Sequence, residues 1–417
     1  MTPAPTSPRM TRVLLIAGEA SGDLHGAAFV HALSERLPGV EVAGIGGEKL
    51  RAAGMRILVD SEHVATMGLT ETFGTIGRLV ATYRRLLRFL DEERPALVVL
   101  IDYPEFNLLV ARQAKRRGIP VFYFIGPQVW AWRKGRVKKI VRRVDKLGLV
   151  FPFEPALYNA ERPGAPEPVA EFIGHPLLDV VAPTRSRAET RRLYGLDPAR
   201  PLLALLPGSR RKEVEALLPA MNAAAAALAA EGWQPVLALA PNLPRESVAA
   251  LLDGQRAAFT IVQSDTYNVV AAADAAVVAS GTATLETALL GCPMVVVYRV
   301  SALTYFIASR LVQLDWIGMP NILLGREVFP ELIQDEVTPE AITAQVRNVH
   351  ARQAELSGAA ARIREQLGTP GAAGRAADLA VRLLRRALPA ADAVAHAPAP
   401  AADGGGLGTP KAGSGPR

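Results

Sequence analysis

Three regions of this 417-residue chain collect side chains that chemistry could use. The first is Gly18-Glu19-Ala20-Ser21-Gly22-Asp23-Leu24-His25-Gly26, which follows the apolar run 13–17 and precedes a helix-like stretch, 27–37. A strand that turns through glycines into a helix is where open α/β folds bind ligands. The loop does not read G-x-G-x-x-G and lacks a G-K-[ST] ending, so it is neither the dinucleotide fingerprint nor a P-loop. Its Glu19, Ser21, Asp23 and His25 are more polar groups than a phosphate cradle needs. The same residues also suit a plain βα turn, with glycines for close packing and Asp23 as a helix cap. The second region is Asp102-Tyr103-Pro104-Glu105-Phe106-Asn107, after the apolar run 97–101. At the end of a parallel strand, Asp102 is placed to remove a proton from a hydroxyl nucleophile. Asp102 and Glu105 equally have capping-box spacing, with Asp in place of Ser or Thr.

The third region is a pair of turns in the second half. Pro207-Gly208-Ser209-Arg210 leaves an apolar run and enters a helix, so its amides favour an anion and Arg210 adds a forked donor. Ser280-Gly281-Thr282-Ala283-Thr284-Leu285-Glu286 has the same form, and Glu286 lies one helical turn in, where a carboxylate can accept both hydroxyls of a ribose. A solvated basic turn and an ordinary N-cap are the plainer alternatives. Two anion turns in one half suit a diphosphate. No D-x-D occurs, so a metal-bridged nucleotide sugar has no obvious ligand set, and Arg and helix dipoles would have to stabilise a leaving group.

These residues need elements to hold them. Apolar runs at 13–17, 40–45, 97–101, 121–125 and 147–151, then at 202–206, 235–239, 259–262, 275–279 and 294–298, alternate with helix-length segments. That rhythm predicts parallel sheets with helices on both faces, in two Rossmann-like halves with a cleft between them. The expected division is a disordered N-terminus (1–11), a first Rossmann-like domain (12–178), a Pro-, Arg- and Thr-bearing linker (179–200) and a second domain (201–370). A helix packing back (371–388) and a disordered Ala/Pro/Gly tail (389–417) complete it.

The formal net charge of +7 favours an anionic partner, and no aromatic RNA-stacking module is apparent. Between Met67 and Leu90, apolar Leu69, Phe73, Ile76, Val80, Tyr83, Leu87 and Leu90 recur at steps of four and three, with Arg78, Arg84, Arg85 and Arg88 on the remainder. Such a helix lies in a membrane interface or faces a core with solvated arginines. After Trp130-Ala131-Trp132 comes a second basic stretch with Val137, Ile140, Val141 and Val144 on one face. It reads either as a solvated face or as a surface for acidic lipid or a phosphorylated acceptor. The one cysteine, Cys292, excludes an internal disulfide and fits a reducing compartment, and the six histidines show no metal-ligand spacing. The N-terminus lacks a signal-peptide core, and no apolar run reaches the roughly 20 residues of a membrane span.

Ten stretches in order make the chain resemble the lipid-A-disaccharide synthase family. They are GEASGD (18–23), MGLTE (67–71), DYPEFN (102–107), WAWR (130–133), FPFE (151–154), FIGHPL (172–177), LPGSR (206–210), SGTATLE (280–286), CPMVVVYR (292–299) and PNILLGRE (320–327). The resemblance covers about residues 12–385 and implies a GT-B glycosyltransferase. Such an enzyme transfers a 2,3-diacylated glucosamine from UDP to the 6-hydroxyl of 2,3-diacylglucosamine 1-phosphate with inversion, without a cofactor or metal. It implies Asp102 as general base and Glu19, Ser21, Gly22, Asp23 and His25 on the acceptor side. It assigns UDP to Gly208, Ser209, Arg210, Ser280, Gly281, Thr282, Thr284 and Glu286, and carries over Asn321 and Arg326 as further active-site residues. It also implies peripheral attachment to the inner face of the cytoplasmic membrane of a Gram-negative bacterium, and homodimers with exchanged C-terminal parts. A UDP-sugar epimerase, a peptidoglycan-type transferase and a non-catalytic nucleotide-sugar or anionic-lipid binding protein are the competing readings.

Overall fold

A computed structural model describes residues 10–61, 73–130, 134–252, 260–301, 305, 306, 310 and 314–387. The termini expected to be disordered fall largely outside this set, as do MGLTE (67–71) and Ala131–Arg133 of WAWR (131–133).

Strands β1 (Arg12–Ala17), β2 (Glu41–Gly46), β3 (Arg56–Asp60), β4 (Leu97–Ile101), β5 (Val121–Phe124), β6 (Lys146–Leu149) and β7 (Ala170–Phe172) form one parallel sheet in the order β3-β2-β1-β4-β5-β6-β7. Strands β8 (Leu202–Leu206), β9 (Gln234–Leu239), β10 (Thr260–Gln263), β11 (Ala275–Ala279), β12 (Met294–Tyr298) and β13 (Glu331–Ile333) form a second, β10-β9-β8-β11-β12-β13. The central strands LVVLI, LLALL and AAVVA are buried at every position. They show no alternation because helices cover both faces of each sheet. This is the α/β GT-B architecture of two doubly wound sheets.

Strand order reverses beside β1, between β2 and β4, and again beside β8, between β9 and β11. Ligands bind such sheets in the crevice where the order reverses. Four of the turns singled out above each leave a strand at one of these switch points. The Gly18 turn follows β1, Asp102 follows β4, Gly208 follows β8 and Ser280 follows β11.

β3, β7 and β13 have no counterpart among the expected strands. All three are sheet edges, and two are only three residues long. Short edge strands carry too little apolar pattern to be read alone. The expected linker also contains structure. Ser186 caps the helix Arg187–Leu193, and Arg187 and Arg191 both bind Asp274, which accepts a further bond from the Leu202 amide.

The apolar face of the helix Phe73–Glu92 is rotated from the predicted stripe. Leu86, Phe89 and Leu90 are buried while Val80 is 40% exposed. The helix Arg211–Ala230 has the length and composition of a membrane span. It is the crossover from β8 to β9, however, and buries Val214, Leu217, Leu218 and Met221. The helix Ala372–Ala387 returns to the first sheet and packs on Ala20–Arg36, with Arg36 Nε donating to Asp378 at 2.6 Å.

Candidate functional site

The first switch point is built of strained backbone and carboxylates. Asp102 and Tyr103 both adopt φ of 46°, the left-handed region that non-glycine residues avoid. Side chains over-determine this turn: Tyr123 Oη donates to the Asp102 carbonyl at 2.6 Å, and Asn107 Nδ2 donates to the same carbonyl at 2.6 Å and to that of Ile101 at 3.1 Å. Strain held in this way aims a side chain. Gly18 completes the turn, because a Cβ there would stand 2.9 Å from the Tyr103 ring. Burial, reinforced by the negative charge of Glu19, pushes the Asp102 carboxyl above its usual range, against the pull of the Tyr103 amide at 2.9 Å. A carboxylate made more basic in this way suits proton abstraction.

The glycine-rich loop is mostly not a loop. Its helix starts at Ala20, so Ser21 to Gly26 form the first turns. Glu19 and Ser21 are exposed at its start. Gly22 and Gly26 pack against Ile101, where a Cβ would stand 3.6 and 3.1 Å from it. Asp23 does not face a cleft. It is buried and accepts from the amides of Gly47 (2.6 Å), Lys49 (3.0 Å) and Leu50 (3.2 Å), capping the helix Glu48–Ala52 rather than its own. His25 is half-buried with Asp179 and Lys49 as charged neighbours, and burial lowers its pKa.

The second switch point opens a cavity of about 780 Å³. Gly208, Ser209, Arg210, Ser280, Gly281, Thr282 and Glu286 all line it. Thr284 does not, being fully buried with its hydroxyl donating back to the Gly281 carbonyl at 2.8 Å. Gly208 has φ of 113°, and any side chain there would strike the Glu213 carboxylate. That carboxylate lies 3.3 Å from the amides of Ser209 and Arg210 and 3.1 Å from Arg210 Nη1. The donors read from sequence as a phosphate cradle therefore already face an anion, and an incoming phosphate competes with Glu213 for them. Glu286, raised in pKa by burial, accepts from Tyr267 Oη at 3.0 Å.

Sequence reasoning missed Tyr267, whose only signal was a tyrosine soon after a strand end. It also missed the linker's part. Thr184 lines the cavity and is bolted there by Asn268, whose Oδ1 accepts from the amides of Thr184 and Arg185 at 2.9 Å each.

Asn321 and Arg326 do not line this cavity. Asn321 is fully buried. Its Oδ1 accepts from Val328 N (2.9 Å) and Phe329 N (3.0 Å), and its Nδ2 donates to Phe329 O (2.7 Å) and Glu331 Oε1 (2.8 Å). Glu331 in turn accepts from the amides of Ile317 and Gly318, and Ser280 Oγ donates to the Ile317 carbonyl at 3.0 Å. Asn321 thus reaches the site only through the frame beneath Ser280. Arg326 is exposed on the turn that Asn321 braces.

A profile described as lipid-A-disaccharide synthetase matches residues 13–376. The chain belongs to this family. It is 46% identical over 384 residues to a lipid-A-disaccharide synthase of Syntrophus aciditrophicus, covering 90% of this chain and 98% of that one. Among solved structures, the glycosyltransferase of kitacinnamycin aligns with a TM-score of 0.58 at 16% identity, covering 90% and 100% of the two chains. A UDP-GlcNAc 2-epimerase from Neisseria meningitidis, bound to UDP-GlcNAc, aligns with a TM-score of 0.55 at 13% identity over 90% and 100%. At these identities the structural likeness speaks for the fold alone. Family membership makes the chain a glycosyltransferase.

Proposed function

We propose that the protein condenses UDP-2,3-diacylglucosamine with 2,3-diacylglucosamine 1-phosphate, giving a β-1′,6-linked disaccharide 1-phosphate and UDP. The observation that carries this reading is the division of chemistry between the two switch points. Carboxylates gather at the first, while helix-start amides, Arg210 and a cavity of about 780 Å³ gather at the second. Asp102 accepts the proton of the acceptor 6-hydroxyl, and the oxygen attacks the anomeric carbon as its bond to the UDP oxygen breaks. One displacement through an oxocarbenium-like state inverts that carbon. The charge that grows on the departing diphosphate meets the start of the helix Thr282–Leu289 and Arg210, and the diphosphate displaces Glu213 from the Ser209 and Arg210 amides. Glu286, oriented by Tyr267, accepts the ribose hydroxyls.

Glu19 and Ser21 meet the acceptor beside Asp102. Attachment to an anionic membrane surface would use the exposed Arg78, Arg84, Arg85 and Arg88 near exposed Val80. The proposal includes the inner face of the cytoplasmic membrane as the site of action. It also includes a dimer that exchanges C-terminal parts, so that the helix Ala372–Ala387 would cover the partner's first sheet.

The test is direct. Purified protein, donor and acceptor are mixed in detergent with a chelator and read by mass spectrometry. Disaccharide and UDP are expected, and their absence, or an absolute metal requirement, overturns the reading. A sugar product formed from the donor alone would point to an epimerase instead.

A further inference from the structure

A buried carboxyl outside both switch points joins the two sheets. Glu154 is fully buried at the start of the helix Glu154–Asn159. Its Oε1 accepts from Trp130 Nε1 at 2.9 Å and its Oε2 from the Phe151 amide at 3.0 Å. These donors come from different loops, one leaving β5 and one leaving β6. Tyr158 lies one helical turn on, on the same face. Its hydroxyl donates to the Pro127 carbonyl at 2.6 Å. Two side chains of one short helix therefore grip the loop that leaves β5. That loop needs a grip, because it begins with Ile125 at φ of 60°, a conformation costly for a β-branched residue.

What the grip holds is the contact between the halves. Trp130, Val150 and Phe151 do not pack into the cores of their own sheet. They fall in the buried cluster that contains Leu177, Leu178, Val181, Leu206 and the core of the second sheet. Phe151 also lies 5.2 Å from the His175 ring, and the His175 amide donates to the Leu367 carbonyl on the returning chain. In the other direction, β5 carries Tyr123, whose hydroxyl holds the Asp102 carbonyl. A continuous path of contacts runs from Asp102 through β5 to Glu154 and on to the second half.

We propose that Glu154 is a positioning residue for transfer: by fixing Trp130 and Phe151 against the core of the second sheet, it sets the placement of Asp102 relative to the nucleotide cavity. This rests on the transfer reaction proposed above. Burial lifts the Glu154 carboxyl to about 7, against the pull of its donors. The charged carboxylate can accept both N–H groups fully, whereas the neutral acid must turn one oxygen into a donor. The grip therefore tightens as pH rises through about 7. The other titratable groups beside it stay silent there: Tyr158 is raised far above its ordinary value by burial, and His175, lowered by burial to about 3, stays neutral.

The experiment compares full-length wild type, Glu154→Gln, Trp130→Phe and the double variant. Three quantities are read: kcat with both substrates saturating, UDP affinity by calorimetry, and amide exchange of the peptides holding Trp130 and Phe151. Each single variant is expected to lose roughly ten- to a hundredfold in kcat. UDP affinity should be kept, since no residue of this grip lines the nucleotide cavity. The double variant should be no worse than either single one. In wild type, protection of the Phe151 amide should rise from about pH 6 to about pH 8, and in Glu154→Gln it should not.

An unchanged kcat, a parallel loss of UDP affinity, additive effects in the double variant, or equal exchange in wild type and Glu154→Gln would overturn the proposal. If Glu154→Gln does not fold, Trp130→Phe alone decides it by the same kcat and affinity criteria. A wild type with no turnover would count against the proposed reaction instead, and the exchange comparison would still test the grip.

Discussion

The two switch points occupy the same place in the same kind of sheet, yet they are built from opposite materials. The first, at β1 and β4, has two consecutive left-handed non-glycine residues and two carboxylates, Glu19 and Asp102, with Asp102 made more basic by burial and by the charge of Glu19. The second, at β8 and β11, has small residues, helix-start amides and an arginine, and its lining carboxylates are already matched by donors, Glu213 by Arg210 and Glu286 by Tyr267. In the function proposed above, the first takes a proton and the second holds an anion. Doubly wound sheets supply the crevice, and the residues that leave the strands there give each crevice its own set of polar groups.

The largest break in this comparison should come from Asp102→Asn. On the proposed mechanism the variant lacks its general base, and kcat should fall by roughly a hundred- to ten-thousandfold. UDP affinity measured by calorimetry should not change, because Asp102 does not line the cavity beside β8 and β11. A variant that turns over like wild type would remove Asp102 from the mechanism.

Next in size is Asp23→Ala, which tests whether the motif beside Glu19 is catalytic or structural. It strips the partner from three amides that begin the helix Glu48–Ala52. The unfolding free energy should fall by roughly 3 kcal/mol, since each buried amide left unmatched costs about 1–3 kcal/mol. A folded variant of unchanged stability whose acceptor KM alone had risen would return Asp23 to the substrate.

Tyr267→Phe acts on the second site only. Losing the hydroxyl that orients Glu286 should weaken UDP-sugar binding about tenfold, with kcat nearly unchanged. A fall in kcat at constant KM would mean that Glu286 does more than hold the nucleotide.

The smallest expected effect sharpens the first site. Asp102 must be ionised to accept a proton, so kcat/KM should rise as pH passes its raised pKa. Removing the neighbouring negative charge with Glu19→Gln favours the ionised form and should move that rise to lower pH. A rise that stays in place would show that Glu19 does not reach Asp102 electrically.

Much of this was legible in the residues. Continuous apolar runs such as LVVLI and LLALL announce buried parallel strands, and a run that breaks into glycine and hydroxyl residues announces a strand end. Those local signals placed Asp102, Arg210 and Ser280 in the turns after strand ends, with Glu286 one turn into the helix that follows. What they could not carry was the partner of each side chain. From its motif Asp23 reads as a group on the acceptor side of the cleft, but the amides of Gly47, Lys49 and Leu50, 24 to 27 residues away in the chain, occupy it. Asn321 is carried over as an active-site residue with its motif, yet its amide is spent on the turn at Val328 and Phe329. Thr284 sits in a phosphate-type turn, but the helix rotates it inward to the Gly281 carbonyl. Glu154 enters the sequence reading only as the last residue of FPFE (151–154) and with no role, because one glutamate after Phe151-Pro152-Phe153 has no local pattern to betray burial.

By itself the sequence determined the two parallel sheets, the positions of the turns that end their central strands, and the family. Those depend on hydropathy and on turn residues, which act over a few positions. Only the tertiary structure decided which polar side chains are left for substrate and which are consumed within the protein. A hydrogen bond is satisfied by whatever donor folding brings within about 3 Å. For Asp23 and Glu154 donors come from segments 24 residues away in the chain, and for Asn321 from the turn that follows its helix.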